Sequence, residues 1–507
     1  MIITPLGHTE FLIDIENNSG GNVRILVDAW YSDYAIGDLM ERTSQFRLDQ
    51  DMIPSIDALY ISHAHCDHFD PYTLAQIYTP GKSSYPILIL PETLRYLEYL
   101  IVKYIPLAQI KWLSNHEVYI LKGIEISGVM FEQENITNED DVMMLLVASD
   151  RECLFAEIDT LPDDSEEVQK KFNRLFSKKK YETVLYLASR NELEGNLKML
   201  DSQNEKDMEA FKKSYLRERR EEIEWGYVKW ETEEYENRAN FMKIPGFCRG
   251  FIGQGICYPR ILSEKLAGIS AFSLSEVVDR EISFATEYGY GFSQKALLPG
   301  RQYTINHGVI EQGRKECSIG IFVPYISPGI GQNNIRIYAS GPLFPRELNE
   351  KELQDGKMRI LDILNHRFLP YWSASPVASL RSALIKNREG KYRIGCKYQD
   401  ETIIFEYSFA SSEFVEVAYE SLLHIDEVYW LLDILDFLDG KQELYSNFWH
   451  KLEPNMIYRL WTCLGANFCN NDLLLKKYTL HFEQALSGKT CNEYFEAVRN
   501  TLTKECI

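Results

Sequence analysis

The sequence predicts an α/β protein, and three stretches carry that prediction. Two apolar runs at the N-terminus, 2–14 and 23–28, flank the turn-rich 17–22 and read as a β-hairpin. The apolar run 58–62 reads as a buried strand, and 71–77 behind it as a helix with Pro71 in its first turn. Further on, 117–130 alternates apolar and polar residues on either side of Lys122-Gly123, the pattern of a second hairpin.

The loop between the strand 58–62 and the helix 71–77 holds His63, His65, Asp67 and His68 within six residues. Side chains of an extended backbone alternate with period two, so His63 and His65 can point the same way and grip one ion. Asp67 and His68, displaced by the turn, can face a second ion alongside. Imidazole and carboxylate donors suit zinc, iron or manganese, and paired metals sit ~3.5–4 Å apart. Cys66 points between the two sets and reads as a packing residue.

The segments "ITPLGHTEFLIDI", "ILVDAW" and "DALYISHAHCDHFDPYTL" resemble the opening of the metallo-β-lactamase superfamily. Within it they look most like the branch of ascorbate-6-phosphate lactonases and CMP-N-acetylneuraminate hydroxylases. The resemblance implies an αββα sandwich over residues 1–300, as a metal-binding catalytic domain. It implies that Asp28 buttresses the histidine loop without touching a metal, as such outer partners do. It also implies that Asp159, ending the apolar run 153–158, bridges two metals; Ile158 stands where the family has glycine. The family's third motif brings a histidine, but none lies between His116 and His307. Glu132 or Glu134 is the expected substitute. A fifth-motif histidine is missing up to residue 300 as well. The expected cofactor is one or two transition-metal ions, zinc or iron, with manganese also compatible. Fewer nitrogen and more oxygen donors shift that preference away from zinc.

The remaining elements follow in order. Strands are predicted at 86–90, 111–113, 142–147, 153–160 and 184–188, with an amphipathic helix at 91–104. A charged helix at about 204–240 reads as a solvent-exposed insertion spanning about 200–242. The Gly-rich, aromatic 246–259 resembles a strand of the sialic acid hydroxylases. The pattern changes near 298–305, and residues 301–507 read as a smaller α+β, mostly helical domain. It should hold strands at 317–323 and 334–338, a helix at 349–368, a hairpin at 390–409, and helices from there to the end. His116 reads as a surface turn residue, and His366, His424, His450 and His481 as core or surface histidines on helices. His307, near the boundary, is the one that could return towards the metals.

Composition narrows the partners. A 507-residue chain with 45% hydrophobic residues can bury more than one core, so two or three domains are expected. A net charge of −21 counts against a nucleic-acid partner, which needs a basic surface. No export signal or membrane span is recognisable. Ten cysteines without a CxxC pair read as reduced thiols in a cytoplasm.

Three readings follow. In the first, a metal-bound hydroxide, oriented by Asp67, hydrolyses an ester, lactone, amide or phosphoester of a small molecule. In the second, a carboxylate-rich diiron site oxygenates its substrate, as the hydroxylase resemblance implies. Those hydroxylases carry a Rieske cluster held by two Cys and two His, a quartet this sequence does not offer, so a separate ferredoxin or Rieske protein would supply electrons. In the third, a decayed site leaves a binding or scaffold protein.

Overall fold

The structure, a computed structural model, describes chiefly residues 1–31 without His8, 50–130 without Cys66, 142–158, 180–190, 245–253, 291–313, 344–370, 391–419 without 409, 424–439 and 467–487, with short strands elsewhere. The expected insertion helix at 204–240 lies outside these residues.

Two sheets pack face to face. The first has the strand order Val309–Gln312, Tyr303–Asn306, Ile2–Gly7, Glu10–Glu16, Asn22–Val27, Ala58–Tyr60, Ile87–Pro91, Gln109–Leu113. The second runs Val118–Leu121, Ile124–Val129, Met144–Ala148, Glu152–Ala156, Thr183–Arg190, Phe247–Gly253, Ser293–Ala296. Alternate residues serve opposite faces. Phe11, Ile13, Ile25, Val27 and Tyr60 of the first sheet meet Ile126, Leu145, Val147, Leu154 and Leu187 of the second between the layers. Their neighbours Leu12, Leu26, Leu59 and Leu88 face outward, against helices carrying Leu74, Leu97 and Ile101. Strands buried on both faces read as continuous apolar runs, which is why 58–62 lacks a clean alternation. Each such fully buried side chain contributes about 1.5–3 kcal/mol, so the two cores dominate the stability of this half. The helical layer and the paired sheets give three layers of the αββα sandwich, and on the outer face of the second sheet Phe155 and Phe251 pack with Val278.

The turn at Lys122-Gly123 has both residues in the left-handed region, φ +49° and +87°, which suits the twist of the flanking strands. The first sheet runs past the pattern change at residue 300: Ile2 pairs with Thr304 and Ile3 with Tyr303.

Gly246 precedes the strand Phe247–Gly253 at φ +83°, and a Cβ there would sit 2.1 Å from the Glu182 carbonyl oxygen. Because both partners are backbone, neither can give way locally. Gly246→Ala is expected to cost at least the ~1–2 kcal/mol of a left-handed L-residue, read as a lower denaturation midpoint. An unchanged midpoint would contradict the close approach.

In the C-terminal half the strands Phe414–Val417, Glu401–Ser408, Lys391–Tyr398 and Glu427–Trp430 form a sheet in that order. The helices Glu350–Ile363 and Leu431–Leu438 share its core through Ile360, Leu431 and Leu435. Two stretches expected to be helical are therefore strands. Residues 428–430 pair in parallel with 395–397, because Val-Tyr-Trp packs well on a pleated buried surface. Leu502–Cys506 is also a strand, antiparallel to Ile335–Ala339.

The helix Asn467–Leu486 returns to the first half, where Tyr478 and Phe482 join the outer core of the first sheet. No helix among the described residues is long and apolar enough to cross a membrane. His481 lies on this helix, and burial, then Lys477, push its imidazole down to about 3. A histidine whose folded value lies below the ordinary ~6.5 stays neutral when folded, so its contribution is complete above ~6.5 and lost as pH falls towards 3. The melting temperature of wild type should therefore fall more steeply than that of His481→Leu as pH is lowered through this window. Parallel profiles would show that His481 does not titrate with unfolding.

Candidate metal centre

The strands Asn22–Val27 and Ala58–Tyr60 are parallel neighbours, Val27 opposite Tyr60, so their carboxyl ends lie side by side. Asp28 follows the first and the histidine loop the second. Asp28 adopts φ +45°, a left-handed conformation that aspartate tolerates. Its N–H donates to the Tyr60 carbonyl at 2.9 Å, which turns the carboxylate behind the loop.

That carboxylate is fully buried and receives three donors. The Ser62 N–H reaches Oδ1 at 2.8 Å and the Ser62 hydroxyl reaches Oδ2 at 2.7 Å. His68 Nδ1 stands 3.0 Å from the same Oδ2. A serine hydroxyl has one proton. Since Ser62 Oγ directs it to Asp28, the 2.8 Å contact between Ser62 Oγ and His63 Nδ1 has the imidazole as donor. One carboxylate thus sets the tautomer of two histidines, His68 directly and His63 through Ser62. Each then presents Nε2 as its lone-pair nitrogen, the arrangement outer partners impose on metal-binding histidines. Thr9 Oγ1 also approaches His68 Nδ1, at 3.4 Å.

The rings of His65 and His68 lie 4.3 and 4.1 Å from that of His63, centroid to centroid. His63 and His68 are fully buried, Asp67 is nearly so, and His65 is half-buried. The loop closes on itself where the His65 carbonyl accepts the N–H groups of His68 at 3.0 Å and Phe69 at 2.7 Å. Asp70 then caps the helix Pro71–Ile77, accepting from Tyr72 N–H at 3.1 Å and the Thr73 hydroxyl at 2.5 Å. The same Thr73 oxygen accepts the Tyr31 N–H at 2.6 Å, pinning the segment after Asp28 to the segment after His68.

The second sheet reaches the loop through Met143, whose N–H donates to the Ser62 carbonyl at 3.0 Å. Its carbonyl accepts from the Tyr60 hydroxyl at 2.7 Å. Burial, and then the Asp28 charge, push the Tyr60 phenol well above its ordinary range, so it remains a donor here. The chain carrying Glu132 and Glu134 rejoins the described residues at this point. Both glutamates, Cys66 and Asp159 lie outside the described residues.

Ile158, the last described residue before Asp159, has φ +61° and is fully buried between the sheets. Left-handed backbone at a β-branched residue costs about 1–2 kcal/mol. Burying the side chain returns about 1.5–3 kcal/mol, which lets isoleucine hold a position whose backbone favours glycine. Glu157 beside it is buried, accepting from the Tyr186 hydroxyl and from Ser189 N–H at 3.0 Å. These bonds tie the end of the strand Glu152–Ala156 to its neighbour.

Neither Ser62 nor Glu157 was marked by the sequence; a serine beside a histidine and an acid in an apolar run are common. His307 does not return to the loop. It is exposed, and its N–H donates to Thr183 Oγ1 at 2.8 Å, at the opposite end of the strand from Ser189. His116 is an exposed turn residue at φ +64°.

Among the described residues, no three His, Cys, Asp or Glu side chains stand together at metal-ligating geometry. The donor chemistry nevertheless fits a transition metal: clustered imidazoles with Nδ1 engaged on two of them, beside a buried carboxylate.

Residues 2–155 match the family model described as Beta-lactamase superfamily domain. Over 71 residues the chain is 38% identical to a Mycolicibacterium smegmatis protein described as a Rieske 2Fe-2S iron-sulfur protein, covering 14% of this chain and 13% of that one. Among solved structures, CmlA, a diiron β-hydroxylase from Streptomyces venezuelae, is similar at 12% identity and TM-score 0.33, covering 62% of this chain and 54% of that one. The metallo-β-lactamase fold protein YhfI from Bacillus subtilis is similar at 9% identity and TM-score 0.30, covering 61% and 98%. The chain thus spans about an eighth of the curated relative and about half of CmlA.

Proposed function

We propose that this protein is a metal-dependent enzyme hydrolysing an ester, lactone, amide or phosphoester bond of a small molecule. The observation that supports it is the Asp28–Ser62 relay, which engages Nδ1 of both His63 and His68 and would leave Nε2 of each to meet an ion. His63, His65, Asp67, His68 and Asp159 would hold one or two ions, zinc or iron. Such an ion lowers the pKa of its water to about 7 and polarises the scissile group. Asp67, nearly buried in the loop, would orient the attacking water and take its proton. The water oxygen bonds to the carbonyl carbon or phosphorus as the leaving group departs with a proton. Glu132 or Glu134 would complete the shell where histidines are missing.

A second reading, oxygenation by a carboxylate-rich iron site, is favoured by the stretch shared with the Rieske-described relative. A ferredoxin or Rieske protein would then deliver electrons. Both readings are tested together. Metal content is measured on protein purified without added metal; zinc- and iron-loaded samples then meet lactones and phosphodiesters with and without O₂. Hydrolysis predicts zinc-supported turnover indifferent to O₂. O₂ uptake by iron protein with reductant, and no cleavage by zinc protein, would replace it with the second reading. A chain that stays metal-free after reconstitution with zinc, iron and manganese leaves only a binding or scaffold role.

A further inference from the structure

The helix Asn467–Leu486 comes from the far end of the chain, with Gln484 412 positions after Tyr72, yet it packs directly behind the histidine loop. We propose that this helix is a brace for the metal loop, in which Tyr478 and Phe482 hold Phe69 and, through it, set the positions of His65 and His68. The proposal rests on the reading of that loop as a metal site.

Phe69 is fully buried and follows His68 directly. Its ring meets Tyr478 edge-on, with centroids 4.9 Å apart at 68°, and Phe482 at 6.3 Å and 81°. Such edge-to-face pairs have a preferred geometry, so they orient the ring as well as bury it. The backbone N–H of the same residue donates to the His65 carbonyl, which also accepts from His68. Any displacement of the Phe69 ring is therefore passed to the turn that places both histidines.

The helix is fixed at further points. Phe482 stacks on Tyr104 with ring centroids 5.2 Å apart and planes 10° from parallel. The hydroxyl of Tyr104 donates to Glu483 Oε1 at 2.8 Å, and that of Tyr72 to Gln484 Oε1 at 3.0 Å. Tyr72 sits in the helix that Asp70 caps, immediately after the loop. The brace thus grips the loop and the helix following it as one unit. A metal shell must hold its donors within about 0.5 Å, and this contact lies between the hydrogen-bonded turn and the helix cap.

The experiment titrates the full chain with cobalt(II), followed by visible absorption and by competition with a chelator. Tyr478→Ala combined with Phe482→Ala is expected to weaken cobalt binding on the order of 10-fold, the lower end for outer partners of a metal, and to shift the visible band. Tyr478→Phe, which keeps the ring, should bind as wild type does. Ile360→Ala, in the separate C-terminal core, should lower the melting temperature and leave cobalt affinity unchanged, which separates positioning from general stability. If the double variant does not fold, Tyr478→Leu carries the test with a smaller loss of volume. A folded double variant, or Tyr478→Leu, with wild-type affinity and spectrum overturns the brace and leaves the metal reading intact. Wild-type protein that takes up no cobalt overturns the metal reading and the brace with it.

Discussion

His63→Ala combined with His65→Ala is expected to abolish metal binding, with less than about a tenth of the wild-type content surviving reconstitution and desalting. The two positions lie one residue apart in the bend after Tyr60, and their rings lie 4.3 Å apart. Removing both takes away two of three imidazoles, and the remaining oxygen donors bind zinc and iron more weakly. The fold should survive. The apolar core between the sheets contains neither side chain, and Asp28 keeps the Ser62 and His68 donors. Losing the relay partner of Ser62 costs about 1–3 kcal/mol, the usual penalty for a buried polar group left short of one bond. Metal analysis and circular dichroism on the same sample check both halves. A folded double variant with stoichiometric metal would place the site elsewhere.

The strand–loop–helix unit around these histidines was legible because every signal in it is local: an apolar run, a period of two, a proline in the first helical turn. The hairpin at 118–129 was legible for the same reason, whereas the run 2–14, expected as one strand, is two antiparallel strands, Ile2–Gly7 and Glu10–Glu16, with Ile2 opposite Asp14. What could not be read depends on pairing across the chain. The return of residues 303–312 to the first sheet is set by the partnership of Ile2 with Thr304, which no window of sequence contains. Residues 428–430 read as helical because a short apolar run fits a buried strand and a helix equally; the parallel pairing with 395–397 makes them a strand, and the helix begins at Leu431. Ser62 was invisible for a different reason. Its importance lies in two hydrogen bonds made by one hydroxyl, and residue type alone does not reveal direction. Glu132, Glu134 and Asp159, the donors expected from the sequence, lie outside the described residues.

Asp28→Asn is expected to lower metal affinity towards the upper end of the 10–100-fold range for outer partners of a metal, because one substitution disturbs two histidines. Asparagine keeps the volume but exchanges an acceptor for an NH₂ donor. Its oxygen can still accept from Ser62 N–H, which leaves the new donor facing the Ser62 hydroxyl and His68 Nδ1, where Oδ2 now accepts from both. The hydroxyl must then turn round and donate to His63 Nδ1, which places the proton of that ring on Nε2 and removes its lone pair from the metal. His68 loses the Asp28 carboxylate beside its Nδ1 at the same time. Ser62→Ala separates these effects: it breaks the link to His63 while Asp28 still holds His68, so its loss of affinity should be the smaller of the two. Chelator competition with zinc measures both variants against wild type. Equal losses in the two would mean that His63 alone depends on the relay, and an unchanged Asp28→Asn, or an Asp28 carboxylate found bound to the ion, would end its assignment as the group that orients the histidines.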